Sequence, residues 1–216
     1  MDMQTTQLLT HLWRGGQFAY WWTLDEERTY EITRGPRAGQ HAPCKRTYWF
    51  PVGRPLPIPH GATEHVYFGV HPSRIIPQER WSKGCSYTPN PSYTRPVIAE
   101  IAAINCLFGE FDAKDFGGGM AGALAHIDRL PAVPSVLINS GGGYHAYWLL
   151  HAPCLITDEN RAAIRDLQNR WVQMVESDDG SKDLARVLRM PGRRNVKAKY
   201  APTCPMVAFV WSELET

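Results

Sequence analysis

Cysteine is scarce in this chain: five residues at wide, irregular spacing, with no Cys-x-x-Cys pair. An odd number so placed does not make a disulfide framework, and a reducing, cytoplasmic location is the expectation. Charge of one sign is also lacking. A formal net charge of +2 on 216 residues is too small to argue for nucleic-acid binding from the total alone. No apolar run approaches the roughly 18 residues that a membrane-spanning helix requires, and Phe18 to Leu24 falls well short. The N-terminus, Met1-Asp2-Met3-Gln4-Thr5-Thr6, lacks the basic start and apolar stretch of a secretory signal. There is no internal repeat and no low-complexity segment. Disorder throughout is excluded by 44% hydrophobic and 11% aromatic residues, eight of them tryptophan.

The length suits one domain built of two closely packed parts, divided near residue 93. The first part reads as sheet-rich. A short helix over Gln4 to Trp13 is ended by Gly15-Gly16. Gln17 to Leu24 and Thr29 to Thr33 are aromatic and β-branched runs around the charged turn Asp25-Glu26-Glu27-Arg28, a pattern that predicts a hairpin. Arg34 to Pro43 reads as a loop, Thr47 to Phe50 as a short strand and His65 to Val70 as a better one. Prolines from Pro72 to Pro96 predict a long irregular loop.

The second part alternates helix and strand. Val97 to Ala103 is helical in pattern and feeds a strand through Cys106 to Asp112. Gly117-Gly118-Gly119 precedes a helix from Met120 that Pro131 stops. Ser135 to Asn139 and Tyr144 to Leu150 are strands joined by Gly141-Gly142-Gly143, a hairpin signal. A helix capped by Thr157 or Asp158 runs to about Val175, with Ile164, Leu167, Trp171 and Met174 on one apolar face. Val207 to Trp211 closes the pattern as a strand.

Three segments carry chemistry. In Glu110-Phe111-Asp112 the two acids lie two apart on a strand and so project to one face. Adjacent carboxylates repel unless a cation sits between them, and magnesium or manganese suits oxygen ligands. An acid-x-acid triplet is common, however, and by itself reads more often as a solvated edge. In Ser140-Gly141-Gly142-Gly143-Tyr144-His145-Ala146-Tyr147, the glycines let a phosphate approach the backbone, with His145 and Tyr147 on one strand face nearby. His145 is suited to holding a triphosphate oxygen, as a cation or as a hydrogen-bond donor. No Gly-Lys-Ser/Thr ending follows, so this is not a Walker loop. From Asp178 onward, acids at 178, 179 and 183 precede Lys182, Arg186, Arg189, Arg193, Arg194, Lys197 and Lys199. A solvated basic face is the ordinary explanation of such a run. Against it, Arg186 and Arg189 alternate with Val187, Leu188 and Met190, and guanidinium groups anchored beside a core suit bidentate phosphate contacts. A carboxylate pair, a glycine turn with histidine, and a further acid before fixed cations are the parts of a nucleotidyl transfer site.

In this order, with Asp-x4-Asp-Leu-Ala-Arg-Val-Leu-Arg-x-Pro-Gly as the most specific stretch, the motifs resemble the archaeo-eukaryotic primase superfamily, primase-polymerase branch. The resemblance spans roughly Val66 to Lys199. It implies an α/β, more narrowly α+β, catalytic fold with an RRM-like antiparallel sheet flanked by helices and an N-terminal αβ subdomain. It implies template-directed DNA primase or polymerase activity by a two-metal mechanism, with Mg2+ or Mn2+ on Glu110, Asp112 and Asp178. Asp179 is the neighbouring alternative for the third acid, and Glu110 stands where this branch usually has Asp. It places His145 on the incoming nucleotide's phosphates, with Gly143 where some relatives carry serine. Ser140, Tyr147, Arg186, Arg189, Asn195 and Lys197 are the further candidates for nucleotide or template contact. DNA template and primer, nucleoside triphosphates and a helicase domain or subunit are the implied partners, and the chain reads as a stand-alone enzyme or an excised catalytic domain. A structural Zn2+ on His41, Cys44, His60, His65 and Cys85 is the lesser expectation. A non-catalytic RRM-like module and a metal-dependent nuclease are the alternative functions.

Overall fold

A computed structural model describes residues 1–33, 35–55, 64–76 and 95–214. It contains three α-helices and eight strands among those residues: α1 (Met3–Leu12), β1 (Phe18–Glu31), β2 (His41–Pro51), β3 (His65–Gly69), β4 (Ala103–Asp112), α2 (Met120–Ile127), β5 (Val136–Asn139), β6 (Gly143–Leu155), α3 (Arg161–Met174), β7 (Val187–Arg189) and β8 (Ala208–Ser212). Most of the Pro72–Pro96 loop, with His60 and Cys85, lies outside the described residues. No described helix is long and apolar enough to cross a membrane.

The strands form two four-stranded antiparallel sheets, ordered β2-β1-β3-β7 and β4-β6-β5-β8. The expected mixed α+β architecture is the observed one. The first sheet is not confined to the N-terminal part, because β7 joins it beside β3 through the register Tyr67↔Arg189. The largest apolar cluster fills the space between the sheets, uniting Trp21, Phe50 and Phe68 with Phe108, Ile138 and Leu188. Helix α1 is tied to both sheets. Asp2 caps it by accepting from the Thr5 amide at 2.8 Å. Trp13 Nε1 then donates to the Gly69 carbonyl at 2.9 Å, and Asn105 Nδ2 donates to the carbonyls of Leu12 and Arg14. The opposite face of the second sheet packs on α2 and α3 through Phe111, Leu137, Ala146 and Val175.

Several local expectations are corrected. Asp25 to Arg28 makes no hairpin: β1 runs through it, pairing with β2 on both sides of a register shift between Asp25 and Thr29. The Asp25 carboxylate accepts from the amides of Glu27 and Arg28, satisfying backbone groups that a bulge leaves unpaired. No residue here takes the positive φ that a tight hairpin turn demands. The helix expected over Val97 to Ala103 is one 3-10 turn, Ile98–Glu100, and Ala103 already belongs to β4. In α3 the buried face is Ile164, Gln168 and Val172, whereas Leu167 and Met174 are exposed. Cys44 is disulfide-bonded, which corrects the expectation of unpaired cysteines at that position and removes its thiolate from the zinc set. The Gly141–Gly143 hairpin forms as expected, with Asn139 opposite Tyr144.

Candidate active site

Strand β4 carries the acid-x-acid triplet at the polar end of the face that covers the shared core. Cys106 and Phe108 lie at the apolar end of that face, Glu110 and Asp112 at the other. On β6, Glu110 pairs with His145 and Asp112 with Gly143. The amide and carbonyl of Glu110 both turn away from β6, toward Ser181 Oγ and the Asp178 amide. Glu110 and His145 therefore form a non-hydrogen-bonded pair, the kind whose side chains stand closest. His145 Nε2 lies 3.9 Å from Glu110 Oε2.

The outer edge of β4 explains how the third acid arrives. Gln168 of α3, fully buried, donates from Nε2 to the carbonyls of Phe108 and Ser181, at 2.9 and 2.8 Å. Ser181 Oγ accepts from the Glu110 amide at 3.0 Å, and the Asp178 amide donates to the Glu110 carbonyl at 2.8 Å. A sheet edge that would otherwise bury unpaired groups is thus closed by the segment that bears Asp178. Asp178 caps the following 3-10 turn through Gly180, while Asp179 points to solvent and pairs with Lys182. Of the two adjacent acids, only Asp178 turns toward Arg186 and Glu110.

Arg186 joins the carboxylates. Its Nε donates to Glu110 Oε1 at 2.6 Å, and its Nη2 lies 3.9 Å from Asp178 Oδ1. Burial pushes the Glu110 carboxyl above the usual carboxylate range; Arg186 draws it back, while Asp178 and Asp112 push in the same direction as burial. Asp112 is more open and pairs with the exposed Lys114 at 3.2 Å. Burial pushes the His145 imidazole down to about 3, with Arg189 and Arg186 adding to the effect. His145 is therefore neutral near pH 7 and available as a hydrogen-bond donor, not as the cation that was one of its two expected forms.

The glycine turn is built from the backbone outward. The Asn139 carboxamide accepts from the Gly141 amide, and Asn195 Nδ2 donates to the Ser140 carbonyl at 2.9 Å. A Cβ on Gly143 would collide with the Phe111 carbonyl, and one on Gly142 with the Tyr200 hydroxyl. Gly143 is thus required by the close approach of β4.

These groups surround a cavity of about 540 Å³ between the two sheets. Of the expected residues it is lined by Glu110, Asp112, Ser140, His145, Arg186, Arg189, Asn195 and Lys197. Gly143, Tyr147 and Asp178 do not line it. Tyr147 is fully buried in the shared core opposite Phe108, so the same-face placement with His145 carries it into apolar packing rather than to a ligand. Sequence reasoning missed the opposite wall, made by Trp22, Leu24 and Tyr67 with Arg95, and it missed Lys114 and Tyr200. Trp22 and Tyr67 pack with ring centroids 5.0 Å apart, and the Arg95 guanidinium lies 5.0 Å over Trp22. The alternation Trp22-x-Leu24 opposite Tyr67 across β1 and β3 was the available signal. Among the described residues, six cationic side chains line the cavity against two acidic ones, a balance suited to a polyanion carrying its own cations.

Among the described residues no group of three or more His, Cys, Asp or Glu is gathered so as to hold a metal ion by itself. The donor chemistry nevertheless fits one. Glu110 and Asp178 share a single guanidinium, and the charge on Glu110 is disfavoured by its surroundings. Magnesium normally takes one or two carboxylates and completes its shell with water and substrate phosphates.

Residues 115–211 match the family described as RepB DNA-primase N-terminal domain, a span that includes His145, Asp178 and Arg186. The AEP domain of the cyanophage S-2L primase-polymerase superposes with a TM-score of 0.52 at 21% identity, covering 98% of this chain and 90% of that one. The chain is thus similar over residues 115–211 to a DNA-primase family, and its fold is that of a primase-polymerase AEP domain. No curated protein matches it. Glu110 and Asp112 stand just before the segment that matches the RepB primase family and are brought to it by the pairing of β4 with β6.

Proposed function

We propose that the chain catalyses template-directed nucleotidyl transfer, as a DNA primase, a DNA polymerase or both. The observation that carries this reading is the convergence of Glu110, Asp112, His145, Arg186 and Arg189 on one cavity, with Asp178 hydrogen-bonded behind it. Its volume lies within the range of small-molecule sites, and its cationic lining suits a triphosphate. Glu110, Asp112 and Asp178 would hold magnesium or manganese, which supplies Lewis-acid activation of the attacking 3′-hydroxyl and neutralises charge on the departing pyrophosphate. Neutral His145 donates an N–H to a phosphate oxygen. Arg189 and the free edge of the Arg186 guanidinium hold further oxygens, and Lys197 adds positive charge at the rim. A module that only bound nucleic acid would have no use for carboxylates set among these cations, whereas a metal-dependent enzyme does, which favours the enzyme reading.

The test is primer extension on a DNA template with manganese or magnesium, supplying each nucleotide type separately. The parent chain is expected to lengthen the primer, and Asp112→Ala to lose incorporation by at least about a hundredfold while keeping its melting temperature. Extension by Asp112→Ala at the parent rate, or primer shortening in place of lengthening, overturns the proposal.

A further inference from the structure

The alternation of β3 places His65 and Tyr67 on one face, and the pairing of β3 with β7 sets Arg189 opposite Tyr67. Arg189 is buried yet lines the cavity. It is held from two sides. Its guanidinium lies 4.9 Å over the Tyr67 ring, and its Nη1 donates to His65 Nδ1 at 3.0 Å. An arginine has no acceptor, so Nδ1 of His65 is unprotonated and the ring proton sits on Nε2. Glu26 Oε1 lies 3.4 Å from that nitrogen, close enough to favour this tautomer. Burial, and next the Arg189 charge, keep the imidazole neutral, whereas Glu26 pulls the other way. Glu26 itself belongs to the bulged part of β1, whose backbone is shaped by the Asp25 carboxylate.

We propose that His65, oriented by Glu26, is a positioning residue that aims the Arg189 guanidinium at the triphosphate. The inference rests on the nucleotide reading of the cavity. His65 touches no part of the cavity and acts only through Arg189. Its effect is therefore on nucleotide affinity, with little on the chemical step once nucleotide saturates.

The amide oxygen of asparagine overlays Nδ1 of histidine, whereas that of glutamine overlays Nε2. His65→Asn keeps the acceptor for Arg189, and His65→Gln removes it while preserving a polar side chain of similar size. The measurements on the full chain are equilibrium binding of a non-hydrolysable nucleoside triphosphate with magnesium, and kcat and KM for extension. His65→Gln is expected to weaken binding and raise KM about tenfold, the worth of one hydrogen bond to a charged group, with kcat nearly unchanged. His65→Asn is expected to bind within about twofold of the parent, and Glu26→Gln to lie between. Equal affinity of the Gln and Asn variants overturns the positioning role, as does a fall in kcat alone. Arg189→Ala separates the two levels. If it weakens triphosphate binding and the His65 variants do not, only this inference fails; if it leaves binding untouched, the nucleotide reading of the cavity fails with it.

Discussion

Glu110 is the residue on which the site's electrostatics turn. Its carboxyl is raised by burial and by two neighbouring acids, against the single Arg186 guanidinium. A carboxyl whose folded value is raised binds its proton more tightly in the native state than in the unfolded chain. Its contribution favours folding below the unfolded value and is lost as pH climbs through the interval up to the folded value. At neutral pH the metal-free protein therefore carries an unfavourable charge at position 110, a cost that bound cations would relieve. Glu110→Gln is expected to abolish incorporation, to raise the melting temperature at pH 7 by a few degrees, and to lose that advantage as the pH falls through the raised folded value to the unfolded one, since the parent glutamate takes up its proton over that interval. Thermal melts of parent and variant across pH measure this, and an equal or lower melting temperature at pH 7 would refute it. That Glu110 and Asp112 share a face was legible from their spacing, because a strand's alternation requires no tertiary knowledge; that the pair belongs to a site needed the two later motifs. Tyr147 obeyed the same alternation but met the core, since a face that is polar at one end is apolar at the other.

At the scale of elements, the device that matters is the closure of β4's outer edge by α3 and the turn after it. Gln168 occupies a buried position on α3 where an apolar side chain would be expected, and it spans two carbonyls from different segments. Gln168→Leu keeps similar bulk but leaves those carbonyls without their donor, a cost of roughly 1–3 kcal/mol for each unsatisfied group. The variant is expected to melt lower and, because Asp178 hangs from the same edge, to lose more kcat than KM. Normal kcat in a folded Gln168→Leu protein would show that Asp178 is held by other means. Periodicity pointed to Ile164, Leu167, Trp171 and Met174 as the apolar face; Ile164 is buried, but Leu167 and Met174 are exposed, because the helix is rotated to deliver Gln168 to β4. A polar residue at a buried helix position carries no sequence signal unless its two acceptors are known. The Asp25 bulge is a comparable case: four charged residues resemble a turn until both flanking runs are seen to pair with the same strand.

For the whole molecule, the two sheets share one core and one segment. Trp21, Phe50 and Phe68 pack with Phe108, Ile138 and Leu188, and β7 from the C-terminal part completes the N-terminal sheet. Neither part buries its apolar face alone, so the chain is expected to unfold in a single calorimetric transition. Residues 1–93 and 94–216 expressed apart are expected to be insoluble or unfolded. Two resolved transitions, or an independently folded half, would contradict this.

By itself the sequence determined the candidate groups, Glu110 and Asp112 on one strand face with His145, Arg186 and Arg189, and that the glycine turn joins two strands. Those follow from short-range rules of alternation, turn geometry and charge. Only the tertiary structure decided that Asp178 rather than Asp179 faces Glu110, that His145 is neutral, that Tyr147 is packing, and that Trp22, Leu24 and Tyr67 of the first sheet complete the cavity. Each depends on which groups from distant segments meet, and on how much water remains between them; neither is encoded in spacing along the chain.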